Sequence, residues 1–296
     1  MKQFIVTTDS GCDLPIELLN ERGIYPIKMC YNVNGELRED TMLEEDCREF
    51  YQKMRNGAVP KTSQINEAQF EEFFAPLLQE GLPIVHISLG SAVSGTYASA
   101  LAAAKQLKEQ KGAEIFIVDS TLCSTGYGML ALEAARLRDE GSSAEDCFAY
   151  LEQKKALVNT WYTTDELLYL RRSGRCSRAA ALIGGIFKIC PILNLDAKGH
   201  LIVQQRVRGY DHTVKRIFEL VESTVENASE QTLYVCHSDA KERAEKFGEE
   251  LKEKLGFKDV FYAQIGTIIG SNCGPGLIAA FYYGKPRDMV GYDEKE

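Results

Sequence analysis

The chain has 296 residues, 45% of them hydrophobic, and a formal net charge of −9 at pH 7. Its 34 lysines and arginines are scattered instead of forming a basic stripe, which argues against nucleic acid as a partner. The sequence opens on a strand-like segment, and no apolar run approaches the roughly 18 residues that a membrane span needs. We therefore expect a cytoplasmic protein.

The nine cysteines are widely spaced, odd in number and often placed in apolar stretches such as KICPIL and LYVCHS. This pattern favours buried thiols over a disulfide framework. No C-x-x-C pair occurs, and the four histidines are isolated, so the spacing of a zinc site is missing. We expect no structural metal and no cofactor.

Strands and helices alternate along the first half of the chain, which predicts parallel pairing. Strands are predicted at QFIVTT, IYPIKMCYNV, PIVHISL and AEIFIVDS. Helices are predicted at LPIELLNERG, LEEDCREFYQKMRNG, NEAQFEEFFAPLLQEG, the alanine-rich segment after SAVSG, GMLALEAARLRDEG and SAEDCFAYLEQKKAL. Asn66 and Gln69 have the spacing of a capping box for the third of these helices.

A domain boundary is predicted near residue 157. Beyond it come strand VNTWYTT, a basic turn in DELLYLRRSGR, and a hairpin of KICPILNL with HLIVQQRVR. Helix HTVKRIFELVESTVENA, strand TLYVCHS, helix KERAEKFGEELKEKLG, strand VFYAQIG and a short apolar helix GPGLIAAFYYG complete the pattern. The fold class is α/β, with an N-terminal domain 1–157 built on a mainly parallel sheet and a C-terminal domain 158–296 built on a mixed sheet. Segment 56–82 could pack on the second domain.

Several turns ahead of predicted helices carry hydroxyl or amide groups but no acidic residue. Ser94 and Gly95 precede an alanine-rich helix, Thr62 and Ser63 precede a helix that is already capped, and Asn272 lies in a glycine-rich turn. The turn DSTLCSTGYGML repeats the pattern. One such turn alone is explained by an N-cap, but several together at the carboxyl ends of strands predict a site for a negative head group.

Motifs for common enzyme chemistry are absent. The sequence has no G-x-G-x-x-G after a strand, no G-x-x-x-x-G-K-[ST], and no G-x-S-x-G elbow, because Ala92 stands where the elbow needs glycine. A hydrolase could still use Ser94 as a nucleophile, with a histidine in reach. An enzyme that transfers acyl or phosphoryl groups through Ser94 is therefore the first alternative.

Seven segments in register resemble the hallmarks of the DegV family of bacterial fatty-acid-binding proteins: TTDSGCDLP, KTSQINEAQF, ISLGSAVSGTYASA, VDSTLCSTGYG, LLYLRRSGRCS, IFKICPILNLDAKGHL and IGSNCGPG. The resemblance implies a two-domain protein that holds one long-chain fatty acid in a buried tunnel between the domains. It also implies a role in phospholipid metabolism. The bound acid would be presented to a separate fatty acid kinase subunit, so this chain would not itself be an enzyme.

By motif correspondence, the resemblance implies that a set of polar residues binds the fatty-acid carboxylate, with Arg175 as its charge partner: Thr62, Ser63, Ser94, Gly95, Asn272 and Arg175. The family usually has a histidine where Asn272 stands, and asparagine cannot carry a positive charge. We expect the chain still to bind a carboxylate with asparagine at this position. The step that the substitution calls into question is phosphorylation of the bound acid by the kinase. Candidate tunnel walls are Ile183, Ile186, Ile192, Leu277 and Phe281.

The second alternative is a carrier of another amphiphilic lipid, which would differ from a fatty-acid carrier only in the shape of its pocket. Arg206 and Arg208, beside the apolar Leu201 and Val203, could contact a membrane surface transiently during lipid exchange. Their plainer interpretation is a solvated strand edge.

Overall fold

The computed structural model describes residues 3–164, 167–176 and 189–290. Within these residues, one sheet has four parallel strands in the order β2-β1-β6-β7. Its strands are β1 (Ile5–Asp9), β2 (Ile24–Ile27), β6 (Ile84–Ser88) and β7 (Ile115–Asp119). Its helices are α1 (Ile16–Glu21), α4 (Thr96–Lys111), α5 (Thr125–Asp139) and α6 (Ala144–Lys154).

Alternation along the parallel strands divides the apolar side chains between two cores. Ile5 and Ile84 pack with the alanines of α4 on one face, whereas Val6 and Val85 pack with α5 on the other. Helix α5 also contacts the later strands of the chain, and a Cβ at its Gly126 would lie 2.8 Å from the Phe281 ring. The second core is therefore continuous from the parallel sheet to the rest of the molecule.

A small antiparallel sheet has the order β4-β3-β5 and is accompanied by two helices. These elements are β3 (Cys30–Val33), β4 (Glu36–Glu39), β5 (Lys61–Ser63), α2 (Glu44–Arg55) and α3 (Glu67–Leu77). The prediction of one strand over IYPIKMCYNV was wrong, since β2 and β3 belong to different sheets. After Ile27 the chain leaves the parallel sheet, and the Met29 N–H donates to Ser10 Oγ at 3.1 Å.

The second large sheet is mixed, with the order β10-β9-β8-β13-β11-β12. Among its described strands β11 and β12 pair in parallel and the other neighbours pair antiparallel, and a bulge interrupts β10 between Val203 and Gln205. The strands are β8 (Val158–Thr163), β9 (Ile189–Leu195), β10 (Leu201–Arg208), β11 (Thr232–His237), β12 (Asp259–Gln264) and β13 (Ile278–Tyr283). The helices of this part are α7 (Leu167–Ser173), α8 (Tyr210–Thr224), α9 (Lys241–Leu255) and α10 (Thr267–Cys273).

The predicted apolar helix GPGLIAAFYYG is instead strand β13, and the helix of this region, α10, ends before it. Gly274 and Gly276 have φ values of +74° and +90°, which end the helix and start an extended segment. Ile278 and Ala279 then alternate between the two faces of the mixed sheet. DELLYLRRSGR likewise contains a helix, α7, and not only a turn.

The boundary predicted near residue 157 coincides with the change from parallel to mixed sheet, because β8 begins at Val158. Within segment 56–82, α3 packs on α4, whereas β5 lies against α10. The division into two domains stays a prediction. Seven of the nine cysteines are buried, as expected from their place in apolar stretches. No helix in the described part of the chain combines the length and apolarity needed to cross a membrane.

Arg287 ties three segments together although it is only 2% exposed. Its Nη1 donates to the carbonyl oxygens of Thr121 at 3.0 Å and Asp196 at 2.8 Å. Its Nη2 donates to Thr121 Oγ1 at 2.5 Å and to the carbonyl oxygen of Lys155 at 3.3 Å. One guanidinium thus joins the end of the parallel sheet to the hairpin of the mixed sheet.

Replacing this guanidinium should destabilise the whole molecule. We expect Arg287→Met to lower the free energy of unfolding by about 2 to 4 kcal/mol, because four partly buried acceptor atoms lose their donor. The exposed ion-paired Arg136 is the control, and Arg136→Met should cost less than about 1 kcal/mol. Urea unfolding of both variants checks this, and equal losses would contradict the assignment.

Candidate functional site

A cavity of about 270 Å³ lies where the parallel sheet, the small sheet and the mixed sheet meet. Its buried wall is mainly apolar and is formed by Leu89, Leu193, Leu195, Ile265, Ile268, Leu277, Ala279 and Phe281. The polar residues Ser63, Gln64 and Arg175 also line it but are exposed. The cavity therefore has an apolar interior and a polar mouth.

The loop between β6 and α4, which forms one side of the mouth, is held at three points. The Leu89 N–H donates to Asp9 Oδ2 at 2.9 Å, and the Gly90 N–H donates to the Leu122 carbonyl at 2.9 Å. Ser91 donates from its N–H and its hydroxyl to the two oxygens of Asp119, at 3.0 and 2.6 Å. Glycine is required at position 90, because a Cβ there would lie 2.9 Å from the Leu122 backbone.

This loop delivers Ser94 and Gly95 to the mouth at the start of α4. Ser94 Oγ lies 2.9 Å from Thr96 Oγ1 and accepts the Thr96 N–H at 3.2 Å. Gly95 sits against the Gln64 side chain, whose amide a Cβ at position 95 would overlap. The first turn of α4 has no acidic residue, as predicted, so no carboxylate of that turn offsets the partial positive charge at the start of the helix.

Thr62 and Ser63 lie on the short strand β5 and not in a loop. The capping box predicted for the following helix is confirmed: the Gln69 N–H donates to Asn66 Oδ1 and the Asn66 N–H donates to Gln69 Oε1, both at 3.0 Å. Neither the Thr62 nor the Ser63 hydroxyl makes a hydrogen bond within the described residues, so both are available at the mouth.

Asn272 and Arg175 complete the mouth from two short helices of the second half. Asn272 was expected at a helix start, but it lies in the last turn of α10, and its Nδ2 donates to the Ile268 carbonyl at 3.0 Å. The amide is therefore only partly free. Arg175 follows α7 and is exposed; its Nη1 donates to the Ser173 carbonyl at 2.6 Å.

The structure brings all six predicted polar residues to the rim of this one cavity, although their role toward a carboxylate stays a prediction. Of the predicted wall residues, Leu277 and Phe281 line the cavity. Ile192 does not, because it points to the opposite face of β9 and packs with Ile217 of α8. Ile183 and Ile186 lie outside the described residues.

Sequence reasoning missed three polar side chains inside the cavity, Cys123, Tyr162 and Cys236, whereas Ser124 belongs to the turn DSTLCSTGYGML that repeats the predicted pattern. Tyr162 could have been found from strand alternation, which places it on the face of β8 opposite to Trp161. Cys123 lies in the turn DSTLCSTGYGML and Cys236 in the strand LYVCHS, but the direction of each side chain depends on tertiary packing.

Two buried carboxylates stand directly behind the cavity wall. Asp9 accepts the Tyr127 hydroxyl at 2.5 Å as well as the Leu89 N–H, and burial raises its pKa to about 6 against these hydrogen bonds. Asp13 accepts the Ser124 hydroxyl at 2.5 Å and the Gly266 N–H at 2.8 Å. Burial also raises the pKa of Asp13 well above its ordinary value.

The fold and the cavity define a class of α/β protein that encloses an apolar cavity with a polar mouth between a parallel and a mixed sheet. The chain belongs to the DegV family, since residues 3–285 match the family model described as "Uncharacterised protein, DegV family". A DegV domain-containing protein of Clostridium perfringens is 34% identical over 290 residues, which cover 97% of this chain and 100% of that protein.

Solved structures show the same architecture. DegV of Bacillus subtilis, described as a fatty acid binding protein, is 28% identical with a TM-score of 0.84 over 96% of this chain and 100% of that one. A DegV family protein from Thermus thermophilus, described by its fatty acid binding, is 26% identical with a TM-score of 0.80 over 95% and 99% of the two chains. The predicted family and the α/β class are confirmed.

The raised pKa of Asp9 makes stability depend on pH. Because the native state binds the proton of Asp9 more tightly than the unfolded state, the contribution of Asp9 to the free energy of unfolding should rise by about 1 to 2 kcal/mol as the pH falls from about 7 to about 5. Asp13 and Asp40, whose pKa values burial also raises, act in the same direction, whereas His86 and His237, whose pKa values burial lowers, act in the opposite one. The comparison with Asp9→Asn isolates the contribution of Asp9. Urea unfolding at both pH values measures it, and an identical pH dependence in the variant would contradict it.

Proposed function

We propose that this chain binds one long-chain fatty acid in the cavity, with the acyl chain against the apolar wall and the carboxylate at the polar mouth. The single observation that carries the proposal is the division of one cavity into a buried apolar interior and a rim of hydroxyl, amide and guanidinium groups. The fatty acid binding described for the family members from Bacillus subtilis and Thermus thermophilus supports it.

The acyl chain supplies the affinity. At about 0.8 kcal/mol for each buried methylene, a chain with ~14 methylenes gains roughly 11 kcal/mol. Association itself costs about 4 to 15 kcal/mol. The head group then decides orientation, because a carboxylate buried without partners would cancel much of the gain from the chain.

The mouth offers what a carboxylate needs. Thr62 and Ser63 have unused hydroxyl donors, Ser94 stands at the acid-free start of α4, and the Arg175 guanidinium adds a positive charge. The Asn272 amide keeps one N–H after its bond to Ile268. Since several of these groups are exposed, a carboxylate held by them stays accessible from outside.

We further propose that the accessible carboxylate is presented to a separate fatty acid kinase subunit, which phosphorylates it with ATP. In this scheme Ser94 is a binding group. Its hydroxyl is engaged with Thr96, and none of the four histidines is among the described residues that line the cavity. The Ser94-dependent enzyme therefore lacks support from a neighbouring imidazole base.

Loading and unloading of the acid would bring the protein to a lipid surface, and strand β10 is suited to this. Arg206 and Arg208 are exposed on this edge strand, while Leu201 of the same strand lines the cavity. Exposed arginines favour contact with anionic lipid head groups. We therefore propose that β10 contacts the membrane surface transiently.

The head-group assignment is tested by Thr62→Ala combined with Ser94→Ala. We expect the affinity for palmitate or oleate to fall by about 1 to 3 kcal/mol, because carboxylate oxygens lose their donors while the fold is kept. Ser99→Ala on α4 is the matched control and should bind as the unchanged protein does. Isothermal titration of delipidated protein measures the difference. Failure of the unchanged protein to take up either acid at micromolar concentration would overturn the fatty-acid proposal, and unchanged binding by the double variant would remove these residues from the site.

The presentation step is tested with the protein loaded with oleate, ATP and a bacterial fatty acid kinase catalytic subunit. Formation of acyl phosphate is the readout. If the missing positive charge limits this step, Asn272→His should raise the rate at least about tenfold, equivalent to about 1.4 kcal/mol, without tightening oleate binding comparably. Asn272→Gln is the neutral control. Absence of acyl phosphate with both the unchanged protein and Asn272→His would contradict the kinase partnership while leaving fatty-acid binding intact.

A further inference from the structure

The interior of the cavity contains one tyrosine among its apolar side chains. Tyr162 is 4% exposed and lies on β8 opposite Leu193 of β9 and Ala279 of β13, which also line the cavity. Its ring makes an edge contact with Phe281 at 5.9 Å between centroids. The tyrosine therefore stands in the acyl-chain region and not at the exposed mouth.

The hydroxyl of Tyr162 is poorly satisfied by the protein. Within the described residues it lies 3.7 Å from Cys123 Sγ, and a thiol is a weak partner. Its other polar neighbour is the Thr160 hydroxyl, which can donate to the phenol oxygen but leaves the phenol hydrogen without a strong acceptor. The hydroxyl of Thr160, two residues earlier on the same face of β8, is buried with no partner at hydrogen-bonding distance and angle. Two buried hydroxyl groups thus lie side by side with unused hydrogen-bonding capacity.

The other polar groups of the interior are already committed. Ser124 donates its hydroxyl hydrogen to Asp13 at 2.5 Å and lies 3.5 Å from Cys236 Sγ. In the described chain two interior hydroxyl groups line the cavity, those of Ser124 and Tyr162. Of these, the Tyr162 hydroxyl is the one that does not donate to a strong acceptor. An unbranched hydrocarbon chain would leave this group unpaired, which is unfavourable in an apolar cavity.

We propose that Tyr162 is a specificity-determining residue that hydrogen-bonds an oxygen atom within the acyl chain. The preferred ligands of this chain are then long-chain fatty acids that carry a hydroxyl or keto group away from the carboxylate. This inference rests on the proposed function and refines its substrate class. A site built to pair with a ligand oxygen discriminates against the analogue that lacks it, because its own polar group is then left unpaired.

The test compares stearate with its monohydroxylated analogues, in which the hydroxyl is moved from one mid-chain carbon to the next. With delipidated protein we expect at least one positional isomer to bind about five- to tenfold more tightly than stearate, as for one buried hydrogen bond. Tyr162→Phe should abolish that preference, because it removes the hydroxyl and keeps the ring.

Two further variants separate this role from a structural one. Tyr282→Phe is the matched control: its hydroxyl is also buried in the mixed sheet, but it bonds Trp161 and Thr224 on the opposite face, so the preference should stay. Cys123→Ser should weaken the preference by giving Tyr162 a strong partner inside the protein. Both readouts are ratios of affinities, which a uniform loss of stability does not change.

The outcomes are distinct. The inference is overturned if every hydroxylated acid binds more weakly than stearate. It is also overturned if Tyr162→Phe retains the preference for the hydroxylated acid, as Tyr282→Phe is expected to do. In either case fatty-acid binding stands. If neither stearate nor any hydroxylated acid binds, the proposed function fails and this inference fails with it.

Discussion

Two aspartates buried behind the cavity wall hold the site in place. Asp9 fixes the start of the β6–α4 loop through Leu89, and Asp13 joins Ser124 of the parallel half to Gly266 of the mixed half. A buried carboxylate is costly unless it is fully hydrogen-bonded, and that requirement forces the backbone donors into fixed positions. These bonds fix the start of the β6–α4 loop at the mouth and Ser124 in the interior.

The mixed sheet separates two tasks by strand alternation. On β9, Leu193 and Leu195 face the cavity while Ile192 packs under α8, and on β13 the same division separates Phe281 from Tyr282. One face packs against helices, whereas the other borders the cavity. Neighbouring residues of one strand therefore belong in turn to the packed core and to the cavity wall.

Much of the fold could be predicted because its local signals agree with its tertiary structure. The capping box of α3, the acid-free start of α4 and the β9–β10 hairpin follow directly from sequence patterns. The segment from Leu277 to Tyr283 could not, because a strand buried on both faces is uniformly apolar and resembles a buried helix. That error also misplaced Asn272.

The polar turns of the site could be predicted from the sequence, but the residues that form the wall of the cavity could not. Hydroxyl-rich segments far apart in the chain could be matched to the mouth, because each follows a strand or precedes a helix. The direction of a single wall residue depends on strand register, which a shift of one position reverses. For that reason Ile192 was misassigned and Tyr162 was overlooked.

The bulge in β10 has a consequence for how the molecule behaves in a crowded solution. Among the described strands β10 is the last one of its sheet, and its first residue, Leu201, forms an isolated bridge to Cys176. The backbone N–H and C=O groups at a sheet edge are a template for the strand of a second chain. The extra residue between Val203 and Gln205 bends the strand and breaks the regular spacing of that row. An edge made irregular in this way is a poorer template for the strand addition that begins aggregation.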